Sequence, residues 1–198
     1  MMDLDLLVGS GGVLSHAPRR QQSARMLIDA FMPEGITQLA VDSIFMMPQL
    51  GVLANIDKDN LKENASQAAL EVFDNDCLIR LGTCITPVGK AKSNSKMADL
   101  KLTFSDGTVK ELQINEGSLE MMEYPYEEVK VSIEPVRGID VGAGKGEKVE
   151  SIIFGGVVGL IFDGRNRPIT LSKESEKRIN SLLNWSKAVD EYPKGEIF

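Results

Sequence analysis

Apolar residues in the first third of the chain fall into short runs separated by helix-spaced stripes. Residues 4–8 read as a buried strand that ends at Gly9-Ser10-Gly11-Gly12. Pro18 suits the first turn of a helix, where its missing N–H costs nothing. From 18 to 32, Ala24, Leu27, Ile28 and Phe31 recur at helical spacing, and Pro33-Glu34-Gly35 stops the run. Residues 36–41 alternate with β-branched side chains and predict a second strand. Two more helices are predicted over 43–53 and 60–73, with the polar stretch 55–59 between them.

After Phe73 the period shortens. Residues 77–85 read as a strand closed by Pro87-Val88-Gly89. Residues 97–104 and 109–114 form a hairpin around Asp106-Gly107, a pair that supplies the positive φ such a turn requires. Val129, Val131 and Ile133 alternate with polar partners over 128–135. Strands over 149–154 and 157–162 follow, joined by Gly155-Gly156. Residues 173–190 predict a helix with Ile179, Leu182, Leu183 and Trp185 turned inward. The polar stretch 89–96 reads as a long hairpin loop or a mobile insert, and 120–128 as a solvated turn. The expected fold is an α/β opening, then a mostly antiparallel β module, then a C-terminal helix, α+β overall. The expected units are residues 1–75, 76–172 and 173–198.

Charge removes two classes of partner. With 22 basic and 29 acidic residues the net charge is −7, which repels phosphate backbones, so no nucleic-acid partner is expected. No apolar run approaches the ~20 residues that span a bilayer, so no membrane is expected either. Cys77 and Cys84 form no C-x-x-C pair; reduced, buried, structural thiols in a cytoplasmic protein are expected, and a structural zinc site is not.

The glycine turn fails both spacing tests for phosphate loops. A dinucleotide fingerprint starting at Gly9 and Gly11 needs a third glycine where Leu14 stands, and the P-loop needs a Gly-Lys pair that Leu14-Ser15 does not supply. Two readings remain open: a backbone stripped for close approach of a flat or anionic ligand, and a plain tight turn. His16, the only histidine, is either structural or ligand-facing. Asp42 follows the second strand, where α/β folds place ligand contacts, and equally suits a helix N-cap. Ser15, His16 and Asp42 are a poor hydrolase triad, because adjacent residues do not present nucleophile to base and no G-x-S-x-G elbow exists. Residues 136–146, VRGIDVGAGKG, have the composition of a phosphate cradle without a helix to follow; a flexible loop is the simpler reading, with Arg137 and Asp140 as a structural pair.

VGSGGVLSHAP, followed by MLIDAFMPEGITQLAVDSIFMMPQLGVLA, resembles the C-terminal part of the MutL/GlmL-type glutamate mutase accessory family. The resemblance continues through DCLIRLGTCITPVG, PVRGIDVGAGKG and GGVVGLIFDGRNRP, and is weakest over 91–96 and after Leu171. It implies an actin-like, ribonuclease H-like ATPase domain at the opening. It implies that Gly9, Gly11 and Gly12 contact the adenosine and α-phosphate of ATP or ADP, flanked by Ser10 and Val13, with His16 and Asp42 as further contacts. It implies that two phosphate-binding hairpins lie upstream, so that 1–198 are the C-terminal part of a longer chain whose N-terminal half is a partner. One nucleotide wall without phosphate clamps does not position water, so no catalytic residue is expected and the chain alone is not expected to hydrolyse ATP. The implied activity of the whole is ATP-dependent reactivation of an adenosylcobalamin-dependent mutase, of glutamate mutase or aminomutase type. The alternatives are a fragment of an actin-like small-molecule kinase and a structural β interaction domain with a degenerate nucleotide site.

Overall fold

The computed structural model describes residues 4–56 and 64–192. Strand β1 (Leu6–Gly9) leads through one helical turn, α1 (Gly12–Ser15), into α2 (Arg20–Phe31), and β2 (Gly35–Asp42) returns parallel to β1. α3 (Met47–Ile56), α4 (Asn64–Val72) and a π-helical turn, Phe73–Cys77, lead into β3 (Leu78–Thr86). Then come β4 (Val88–Gly89), β5 (Lys96–Phe104), β6 (Val109–Asn115), β7 (Leu119–Met122), β8 (Glu128–Pro135), β9 (Ile139–Asp140), β10 (Val149–Phe154) and β11 (Gly159–Asp163), with α5 (Ser175–Ala188) last. The fold is α+β.

Two sheets stack, and helices cover the outer face of one. The five-stranded sheet is mixed, in the order β1-β2-β3-β11-β7; the four-stranded sheet, β10-β8-β5-β6, is wholly antiparallel. Alternation along β11 sorts its side chains: Leu160 and Phe162 join Leu100, Leu102, Val131 and Ile133 between the sheets, while Ile161 joins Leu27 and Ile28 of α2 on the other face. A third small cluster, Leu50, Ala69 and Cys77, ties α3 to α4. Removing one of these side chains, Leu27→Ala for instance, is expected to cost about 2–5 kcal/mol.

Several expectations change here. Gly155-Gly156 joins strands of different sheets, since β10 lies in the four-stranded sheet and β11 in the five-stranded one. The pair is a crossing squeezed between backbones: a Cβ on Gly155 would lie 2.0 Å from the Pro125 carbonyl oxygen, and one on Gly156 2.5 Å from the Leu81 carbonyl carbon. β11 lies parallel to β3, so the sheet is mixed where antiparallel pairing was expected; Gly82 and Gly159 face each other in that register. Stretch 89–96 is no hairpin loop, since β3 and β5 sit in different sheets and β4 pairs with β9. The acidic stretch read as a turn begins with β7, an edge strand that shares Met121 with the helix-side core and packs Met122 on the inter-sheet core. The strands expected on either side of residue 75 share the five-stranded sheet. α5 meets the body only near its C-terminal end, through Trp185 and Val189, so Ile179 and Leu182 are exposed rather than inward. The polar stretch 55–59 and the start of the helix expected at 60 lie partly outside the described residues. Among the described residues no helix is long and apolar enough to cross a membrane.

Candidate functional site

The turn after β1 and the loop after β2 sit side by side, because the strands are parallel and Gly9 is in register with Val41. The carboxyl ends of parallel strands are where α/β sheets accept ligands. The three glycines face different ways. Gly9 is buried, and a Cβ there would come 2.8 Å from Leu14 Cδ1 and 2.9 Å from Leu27 Cδ2, so it lets the turn pack onto α2. Gly11 has φ 117° and ψ 152°, a region essentially closed to other residues, and a Cβ there would meet nothing within 4 Å. The space on the Cβ side of this half-buried residue is open. Gly12 opens α1, where the nearest atom to an added Cβ is Phe45 Cζ at 3.9 Å.

The floor is fastened from below. The Leu14 and Ser15 amides donate to the Gly11 carbonyl at 3.0 and 2.9 Å, while the Ser23 hydroxyl donates to the Leu14 carbonyl at 2.7 Å. Asp42 is fully buried and joins the two segments. Its carboxylate accepts from the Met46 and Met47 amides at 3.2 and 3.1 Å, and from the Ser10 hydroxyl at 3.3 Å. Its backbone carbonyl accepts from the Ser15 hydroxyl at 2.5 Å. Asp42 lies five residues ahead of the first residue of α3 and is not its N-cap, but from outside the helix these contacts cap its start, and they tie the glycine turn to the loop 43–46. Above the floor, Val13 is 73% exposed, and exposed His16 lies with its ring centroid 5.9 Å from that of Phe45.

Two arginines that follow the turn in sequence are engaged elsewhere. The guanidinium of Arg20 donates to the Ser15 carbonyl at 2.8 Å, and that of Arg19 pairs with Asp190 at 2.5 Å. Neither is aimed at the floor, and α1 is only one turn long. What lies at the surface is the Gly11–Gly12 turn with Val13, His16 and the half-buried Phe45 around it. Sequence reasoning singled out Ser10 and Asp42 but missed Phe45; the only signal for it was an aromatic three residues beyond a strand-end aspartate.

Other sequence candidates resolve structurally. Ser15 is buried with its hydroxyl on the Asp42 carbonyl, and His16 is turned to Phe45, so they form no nucleophile–base pair. In the glycine-rich loop the Asp140 carboxylate accepts from Gly142 and Gly144 amides at 2.8 and 3.1 Å. Those two amides, and that of Gly146 on the Ile139 carbonyl, are therefore not open to a phosphate. Cys77 and Cys84 are free and buried, and burial pushes the Cys84 thiol up to about 12. Among the described residues no group of His, Cys, Asp and Glu has the arrangement of a metal site.

A second polar centre occupies the opposite rim of the five-stranded sheet. Fully buried Asp163 accepts from Arg165 at both oxygens, Nε and Nη2 each at 2.9 Å, and from Arg167 Nη2 at 2.9 Å. Arg165 Nη1 lies 2.8 Å from Asp29 of α2, and its guanidinium lies 5.1 Å from the Trp185 ring. Burial pushes the Asp163 carboxyl up, but the two guanidiniums more than reverse this and hold it below the ordinary carboxylate value.

Comparison with known proteins bears on the first rim. Neither the curated proteins nor the solved structures include a match to the chain. A family model does match: residues 1–71 fit the model described as MutL protein. That segment holds β1, the glycine turn, α2, β2 and Asp42. The resemblance read from the sequence is therefore matched by a family model over residues 1–71, the segment in which the floor is built.

Proposed function

We propose that this chain supplies the nucleoside-facing wall of an ATP-dependent reactivating protein, a cytoplasmic accessory factor that handles an adenosylcobalamin-dependent mutase. The observation that carries the reading is the coincidence of the MutL-family match with a strand–glycine turn that has open space on the Cβ side of Gly11. Gly11 and Gly12 would receive the adenosine, with Val13 and His16 at its margin; Ser10 and Asp42 hold the floor in place. Bound ATP would supply the free energy of its hydrolysis, with the phosphates clamped by groups outside this chain. Such clamping is most of phosphoryl-transfer catalysis, so the chain by itself is no ATPase.

Calorimetric titration of the 198-residue chain with adenosine and with ATP tests the nucleotide part. Both should bind in the millimolar range, worth only ~4 kcal/mol, and the triphosphate should add no affinity. Micromolar ATP binding, or ATP held far more tightly than adenosine, would overturn the split-site reading. The partner is tested with the full accessory protein, ATP and a mutase carrying inactivated cobalamin. Recovery of mutase activity supports the role, and no recovery with ATP hydrolysis intact rejects it.

A further inference from the structure

Four described residues other than glycine have positive φ: Met32, Phe45, Asn94 and Asp190. Met32 terminates α2 in the left-handed conformation usual there, and Asp190 and Asn94 belong to residue types that tolerate it. Phe45, at φ 60°, does not. A bulky residue in that region persists only where its surroundings fix it. They do so on both sides. Ser43 donates to the Cys77 carbonyl through its amide and its hydroxyl, both at 2.8 Å, and the Asp42 carboxylate holds the amides of Met46 and Met47.

The pinned backbone sends the Phe45 ring not into a core but over the glycine turn. Among the described residues Phe45 belongs to none of the three buried clusters. Its Cζ stands 3.9 Å from the Cβ position of Gly12, its ring lies at 51° to that of His16, and neighbouring Ile44 is 56% exposed. A rigid aromatic face beside bare backbone is a stacking platform. We propose that Phe45 is a ligand-contacting residue that receives the heteroaromatic base of a purine nucleoside, with Gly11 and Gly12 as the floor beneath the sugar. This rests on the nucleotide reading above. It adds the group that makes the site prefer a base over a bare sugar phosphate, and a purine over the smaller pyrimidine ring.

The test is NMR titration of the intact chain with adenosine, uridine and ribose 5-phosphate, alongside thermal melts of each variant. Phe45→Gly removes the ring and relieves the positive φ, so its melting temperature should hold or rise while adenosine binds about tenfold more weakly. Phe45→Trp should restore binding and the preference for adenosine over uridine. A ring that merely fills space would lower the melting temperature when removed and leave the preference unmoved, and that result overturns the proposal. Gly12→Val separates the two layers. If it weakens adenosine while Phe45→Gly does not, the platform is wrong and the nucleotide floor stands. If the unaltered chain binds neither nucleoside at ten millimolar, about the weak edge of measurable affinity, both readings fall together.

Discussion

Asp42 and Asp163 are both fully buried carboxylates at the carboxyl ends of strands in one sheet, yet they lie at opposite rims and are satisfied in opposite ways. Asp42 meets only dipoles: two backbone amides and a hydroxyl. Asp163 meets two guanidiniums, one of them in a two-point fork. Among the described residues no guanidinium meets the Asp42 carboxylate, and the half-buried Gly11 and exposed Gly12 lie beside it. Charges lock the second, where Arg165 bridges β11, α2 and the Trp185 ring of α5. The ionic fastening is gathered at one rim, and the proposed nucleoside site lies at the other.

The largest expected effect breaks that comparison if it fails. Asp163→Asn keeps the shape but leaves two buried guanidiniums facing a neutral amide, and urea denaturation should show a loss of about 3–5 kcal/mol. Asp42→Asn disturbs only capping contacts and should cost about 1–2 kcal/mol. Equal losses would mean that the two rims are fastened alike.

Within the open rim, Gly11 and Gly12 should separate. Gly11→Ala forces a side chain into a backbone region reserved for glycine and should cost about 1–3 kcal/mol, although nothing is near enough to clash. Gly12→Ala sits in helical backbone with only the Phe45 ring at contact distance, so it should be neutral or stabilise by up to about 1 kcal/mol. Equal melting temperatures for the two variants would contradict the assigned conformations.

The gentlest probe is acid. A carboxyl whose folded value lies below its unfolded one contributes stability that is full above the unfolded value, ~3.9 for Asp. That contribution is lost as pH falls through the folded value. The urea midpoint should therefore drop on acidification below about pH 4, and it should drop less in Asp163→Asn. A variant with the same acid slope as the parent would show that other carboxylates set it.

Local signals carried most of the longer elements and, apart from the β5–β6 hairpin, none of the sheet assignment. Alternation located β8 and β10 to the residue, and Asp106-Gly107 located the β5–β6 turn, because each pattern depends on near neighbours. Periodicity says nothing about which sheet a strand joins, so nothing marked Gly155-Gly156 as the link that carries the chain from one sheet to the other. The inward face expected for Ile179 failed for a related reason: an apolar stripe shows that a helix has a face to bury, not how much of it finds a partner. At the site, spacing found the glycines and Asp42 but did not tell Gly9, which packs inward, from Gly11, which stays bare. That distinction depends on Leu27, and the ring of Phe45 depends on a strained φ fixed by Cys77 from another element.

The place of β11 has a consequence for how the chain is made. On a ribosome β1, β2, β3 and β7 all emerge before the strand that must lie between β3 and β7. Until Asp163 is out, β3 and β7 each present an unpaired edge, and the charged fastening built on β11 does not exist. Unpaired edges are where nascent chains stick to one another. The final insertion is a long-range parallel pairing, slow by its topology. Synthesis that stalls after β10 should therefore release aggregating chains, and a few more residues, through Arg167, should mark the length at which nascent chains become protease-resistant.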